Sequence, residues 1–568
     1  ASELADWSTT DVSLSGLAGL LADDPEPVSV SINSENIAAL TLQKNNHIVL
    51  VDLSNGSILR HFSAGSTDLE QIDRTADGVI ALTQSQAGVL REPDGVRWLG
   101  DGRFATVDVK GGHGGFTLFD RNGNVLFDPA GAFSHILAQH GHLAERLAGT
   151  KSYRAQNLEY ALYGDEEFLF VGGETAGAVL VYRLGANNSA EFVQLLPSGV
   201  SPDGLLALPA RGLLISAASE DDRNDNIRSS LSLYRLQPGA PAYPTVVSAI
   251  ASDGLPIGFG ALSGLAIDQQ DSNRAYSIAD AFYRSSRIFE LDISASPALI
   301  RRAILIKDSL GVLVTEDVSL VNSDDPNSVN IDPEGIAIAA AGGFWIAAEG
   351  KGDWSGNPLF RYQNYLLRVS SDGVIEQLVS LPTRVTERQR DAGFEGVASL
   401  MDGNVEMLYV AFQGEWDGDT DNFVRIGQYN TATGDWKFFN YELDRVDPAV
   451  GGRVGLSDIT ALANHQLMVV ERDNQSGLQA RIKRLYKFSI DGIAAEADDG
   501  TNRVHFPQLS KVLVSDLLNP LKATGGQVLE KIEGVSVAPD GSVLIVNDND
   551  GVARSNGETQ LLRLNGLL

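Results

Sequence analysis

Along most of the chain apolar residues come in short runs, each opened by a polar residue and closed by a turn. The plainest examples set a carboxylate before glycine and a strand-forming residue: Pro333-Glu334-Gly335-Ile336, Phe394-Glu395-Gly396-Val397 and Ile532-Glu533-Gly534-Val535. Weaker copies are Pro202-Asp203-Gly204-Leu205, Leu262-Ser263-Gly264-Leu265 and Leu456-Ser457-Asp458-Ile459. The series reaches towards the N-terminus through Gln156-Asn157-Leu158, Asp94-Gly95-Val96, Glu70-Gln71-Ile72 and Glu35-Asn36-Ile37. Each copy is followed by a second apolar run that ends on a polar residue. Phe344-Trp345-Ile346 leads to Glu349, Leu467-Met468-Val469-Val470 to Glu471, Leu544-Ile545-Val546 to Asn547 and Asp548, and Tyr276-Ser277-Ile278 to Asp280. Glu334 to Glu349 is 15 residues and Ser457 to Glu471 is 14, the length of two short antiparallel strands and a turn. A third strand then ends in a turn, as in Leu366-Leu367-Arg368-Val369 before Ser371-Asp372-Gly373.

Three or four strands per unit, recurring at roughly 50–70 residues, predict an all-β fold of the β-propeller kind. Well-spaced units open at Gln156, Asp203, Ser263, Glu334, Glu395, Ser457 and Glu533, and tighter ones at Glu35, Glu70 and Asp94. The expected architecture is one continuous ring of seven to ten blades over residues 1–568. The alternative is a seven-bladed ring from about residue 150, with three extra blades in 1–150. Helical periodicity is confined to Ala132–Leu147 and Pro382–Arg390, which read as insertions between blades.

Composition narrows the function classes. With 43% hydrophobic residues a normal core can form, and 58 glycines suit many short elements joined by turns. The 43 basic residues face 74 acidic ones, a net charge of −31 that repels phosphate backbones, so nucleic acid is not an expected partner. The same charge favours metal cations. There is no cysteine, which excludes disulfides and thiolate metal sites. No apolar run is long enough to span a membrane as a helix. The start at Ala1-Ser2-Glu3 reads as a mature terminus after signal-peptide cleavage, so a secreted protein, periplasmic or extracellular, is expected.

In a propeller, equivalent residues of the innermost strands meet around the axis. Glu334, Glu395 and Glu533, with Glu349, Glu471 and Asp548, would then ring a channel mouth. Carboxylates at such range raise one another's pKa unless a cation neutralises them, and an oxygen-rich ring of this kind suits calcium. The plainer alternative is that Asp and Glu before Gly simply build tight turns. Acidic loops offer further calcium ligands. Asp417-Gly418-Asp419-Thr420-Asp421-Asn422 opens like a calcium loop, but has no Gly sixth and Gln428 at the twelfth position. Asp222-Arg223-Asn224-Asp225-Asn226 alternates similarly, and Asp548-Asn549-Asp550-Gly551 adds Asp550 to the metal candidates. Lys351, Arg472 and Lys531 lie beside these carboxylates and could orient an anionic substrate, or form ordinary ion pairs. Gly-x-Ser-x-Gly and HExxH are both missing. His113, within Gly111-Gly112-His113-Gly114-Gly115, is a minor candidate.

At these residues the chain resembles a family of secreted bacterial proteins described as having esterase-like activity of phytase. The resemblance rests on Asp332-Pro333-Glu334-Gly335-Ile336 with Gly343-Phe344-Trp345-Ile346-Ala347-Ala348-Glu349-Gly350, and on Phe394-Glu395-Gly396-Val397. It continues in Val470-Glu471-Arg472-Asp473-Asn474-Gln475 and in Glu533-Gly534-Val535 with Asn547-Asp548-Asn549-Asp550-Gly551. It implies a propeller and a phosphoester or ester hydrolase, since similar calcium-dependent propeller phytases use metal ions to bind phosphate and activate water. Longer members carry a Glu-Gly-Asp type segment where this chain has Val109-Lys110-Gly111-Gly112, and Glu-Gly where it has Gln156-Asn157. The expected function is a calcium-dependent hydrolase of phosphate esters or other esters, with Glu334, Glu395 and Glu533 catalytic. The alternative is a non-enzymatic binding propeller that calcium merely stabilises.

Overall fold

The computed structural model describes residues 9–568, apart from 101, 150–154, 223–226, 324, 326, 355–360, 447–450, 501–504 and 553–554. The acidic stretch 222–226 therefore lies almost wholly outside the described residues. Strands dominate, in antiparallel sheets whose strands follow one another in chain order, except that Val246–Ser248 adds in parallel to the edge strand Ala298–Leu305 of one sheet. Five sheets, called blades I to V here, share one plan. Their inner strands are Leu262–Ile267, Pro333–Ile338, Phe394–Asp402, Val454–Leu462 and Ile532–Val537. Each runs beside the next, and the last returns to the first, so the five close a ring. This is a β-propeller, and the all-β expectation is met.

The polar-Gly repeat now has a physical reason. At Gly335 a Cβ would fall 2.5 Å from the Glu395 carbonyl oxygen and 2.6 Å from the Gly396 Cα. At Gly264 it would fall 2.8 Å from the Glu334 oxygen, so neighbouring inner strands touch backbone to backbone at the axis. In four of the five blades a residue without a side chain permits that radius. In blade IV Asp458 stands in the glycine position, and its carboxylate instead accepts the Val535 N–H of blade V at 2.7 Å. Gly335→Ala is expected to destabilise the fold by about 2–3 kcal/mol through this overpacking. Urea denaturation measures it, and an unchanged midpoint would mean the inner strands do not approach as described.

The ring is smaller than the seven to ten units expected. Four more sheets, with first strands Pro27–Ile32, Pro93–Trp98, Ala155–Tyr163 and Pro202–Leu208, stack side by side in a second row. The units at Gln156 and Asp203 belong to that row, so the division does not fall at residue 150. Glu70 lies on a two-stranded hairpin instead of opening a blade. Inner strands that touch through glycine close a tight circle after five members, which leaves the earlier units outside it. A helix at Ala132–Gln139 and a turn of helix at Thr383–Thr386 occupy the two expected insertions. The row is tied to the ring by side-chain amides: Asn549 donates to the Gly141 carbonyl at 2.8 Å, and Asn556 to that of Ser198 at 3.2 Å.

Candidate metal centre in the ring cavity

Each inner strand pairs with its neighbour through a β-bulge at the repeat position. In blades II to V the bulged residue that finds no register partner is Glu334, Glu395, Ser457 or Glu533. A bulge re-aims a side chain, and here it sends each towards the axis. The second strand of each blade ends beside it and contributes Asp280, Glu349, Gln413, Arg472 and Asp548 at equivalent places. Together these side chains line a cavity of about 300 Å³ at the centre of the ring.

Negative charge crowds one side of it. Among the described residues, Asp332, Glu334 and Glu349 form the group whose carboxylate oxygens all lie within 4.8 Å of one another. Asp332 accepts the Ala281 N–H at 3.2 Å, Glu349 that of Gly393 at 2.7 Å, and Glu334 the Ser263 hydroxyl at 2.9 Å. These donors, from blades I and III, fix three carboxylates of blade II without neutralising them. Burial, followed by the charge of Asp332, pushes Glu349 up to about 8. Burial and then Glu395 raise Glu334 well above the ordinary carboxylate range. Glu395 is raised likewise, by burial and then by Glu533 and Glu349.

The other side is balanced internally. Arg472 pairs with Glu533 at 2.5 Å and donates through Nε to Ser457 at 2.7 Å. Burial would raise Glu533, but Arg472 and Lys531 outweigh it and hold the carboxyl below its usual value. Lys531 bridges Asp548 at 2.8 Å and Asp550 at 2.5 Å. Lys351 lines the cavity beside Glu349.

Residues 257–551 match the sequence model of the phytase-like family, described as esterase-like activity of phytase. The chain belongs to that family. The phytase-like region contains all five inner strands and every cavity residue named above, whereas the second row lies almost wholly before it. No curated protein matches the sequence. Among solved structures, selenomethionine-substituted virginiamycin B lyase from Staphylococcus aureus is 10% identical, over 79% of this chain and 93% of that one, with a TM-score of 0.20. A protein from Lactobacillus plantarum is 14% identical, over 65% and 84%, at 0.26. Chaetomium thermophilum Sqt1, solved bound to the N-terminus of ribosomal protein L10, is 14% identical, over 81% and 93%, at 0.24. Similarities of this size say nothing about what the phytase-like chain binds.

Several expected site residues are placed elsewhere. Glu471 faces away from the cavity, held by Lys511 at 2.8 Å and by the Tyr441 hydroxyl at 2.8 Å. Pairing of Leu456 with Glu471 makes Arg472 the residue equivalent to Glu349. The loop carboxylates do not converge on a cation but each meet an arginine. Asp417 pairs with Arg390 at 2.5 Å, Asp419 with Arg425 at 2.7 Å and Asp421 with Arg445 at 3.6 Å. Arg425 is itself fully buried against Trp416, Phe438 and Phe506, so this is a packing device. Asp550 is taken up by Lys531. His113 is buried in the second row, where burial lowers its imidazole to about 4. Conversely, Asp332 and Asp280 were not among the expected ligands. Asp280 ends its strand as Glu349 and Asp548 do, and Asp332 stands directly before Pro333, so both carried a readable signal.

Proposed function

We propose that this protein is a calcium-dependent hydrolase of phosphate esters or other esters, acting at the ring cavity outside the cytoplasm. The observation that carries the reading is the convergence of Asp332, Glu334 and Glu349 beside Lys351 in a phytase-like chain. Three hard oxygen donors, all pushed up by burial and then by charged neighbours, fit a hard divalent cation of flexible geometry. When bound there, calcium supplies Lewis-acid polarisation of an ester or phosphoryl oxygen. The remaining steps belong to side chains. Lys351, on the open side of the carboxylates, draws in and orients an anionic group. Glu395, its carboxyl raised well above the ordinary range by burial and then by Glu533 and Glu349, is the side chain placed to give a proton to a departing alkoxide. Arg472, Lys531 and Glu533 shape the field from the balanced side. A chain of −31 net charge suits a calcium-rich medium outside the cell.

Turnover of p-nitrophenyl phosphate and p-nitrophenyl acetate, with and without EDTA, tests this directly. Hydrolysis of at least one ester is expected, with loss of at least tenfold in EDTA and recovery on adding calcium. Calcium binding without turnover of either ester would make the chain a binding propeller stabilised by its ion.

A further inference from the structure

We infer that Arg472 is a built-in cation at the place where the ring would otherwise recruit a second metal, so the cavity takes a single divalent cation per chain. This rests on the metal reading above and fixes its stoichiometry. The five blades offer equivalent places at the ends of their second strands. Blades I, II and V put Asp280, Glu349 and Asp548 there, and blade III puts Gln413. Blade IV alone puts a cation there, and its guanidinium reaches across to the repeat carboxylate of blade V.

The consequence is a ring divided in two. In blades III to V, Glu533 is paired with Arg472, Asp548 with Lys531, and Glu395 takes an amide hydrogen bond from Gln413. In blade II, Asp332, Glu334 and Glu349 receive, among the described residues, only backbone and hydroxyl donors. Among the described residues Lys351 lines this half without an ion pair to the three carboxylates, whereas the other half holds two cations already paired. A divalent cation on Glu533 would stand a few ångströms from the guanidinium, and like charges at that range repel strongly in a site screened from water. The second Glu533 oxygen, buried and without a hydrogen-bond partner, marks what the arginine leaves over. With Glu395 beside it, it forms the donor set that a second ion would use if Arg472 were absent.

Calcium binding measured by equilibrium dialysis and by calorimetric titration with calcium chloride tests the inference without reference to activity. The wild-type chain is expected to bind one ion, and Arg472→Gln two. The double variant Arg472→Gln/Glu533→Gln, which removes the charges as a pair, is expected to return to one. Glu334→Gln is expected to bind none. Two ions on the wild-type chain would overturn the inference while leaving the metal reading intact, and this result decides the matter even if Arg472→Gln fails to fold. A single ion on folded Arg472→Gln would overturn it equally. No ion on the wild-type chain would instead remove the metal reading on which the inference stands.

Discussion

Glu334→Gln is expected to abolish calcium binding and to reduce ester turnover by at least a hundredfold, while the chain stays folded. Gln keeps the size of the side chain and can still accept the Ser263 hydroxyl, but it loses the charge that a hard cation requires. It also relieves repulsion from Glu395, Asp332 and Asp280, so the metal-free variant should melt no lower than the wild type. Asp419→Asn gives the contrasting result. Asp419 is the nearer of two carboxylates, with Asp498, that neutralise the fully buried Arg425, and breaking a buried pair costs up to about 3–5 kcal/mol. That variant should lose stability in urea and keep its calcium affinity. Calcium titration and urea denaturation of both proteins separate the two roles. If Asp419→Asn loses calcium while Glu334→Gln retains it, the metal centre lies in the loop and the ring assignment is wrong.

The difference between these two sites shows what the sequence could disclose. The ring carboxylates were legible because a polar residue recurred at one strand position before glycine, and a propeller turns such a repeat into a circle. The glycine mattered as much as the acid, since it is what lets the inner strands touch. The loop at Asp417–Asp421 had the composition of a calcium loop, but its partners are Arg425 on the strand that follows and Arg390 and Arg445 from other segments, and spacing alone cannot reveal the pairing. The choice between Glu471 and Arg472 failed for a subtler reason. Adjacent residues on a strand face opposite ways, and a single bulge at Ser457 decides which of the two meets the axis. Ring size was out of reach as well. Repeats count units, but which unit touches which depends on backbone approach at the axis.

The second large effect is in pH. In the metal-free protein Glu349 is raised to about 8 from 4.5, so between these values the folded chain keeps a proton that the unfolded chain has released. Stability must then fall as pH rises through that interval, the reverse of the usual behaviour of a paired carboxylate. Below about pH 6.5 the trend is opposed by His113 and His142, both lowered to about 4 by burial, which destabilise the fold as they are forced to charge. Above pH 8 the buried Lys483, lowered to about 8, begins to contribute in the other direction. The window from pH 6.5 to 8 therefore lies clear of these two histidines and of Lys483, and Glu349 titrates at its upper end. Across it the EDTA-treated protein is expected to lose about 2 kcal/mol from Glu349 alone, with Glu334 adding to the loss. Millimolar calcium should flatten the slope, because the ion replaces the proton, and the calcium-induced rise in melting temperature should be larger at pH 8 than at pH 6.5. Thermal melts at four pH values, in EDTA and in calcium, measure both trends. A metal-free protein that becomes more stable from pH 6.5 to 8 would show that these carboxylates are already compensated and need no cation.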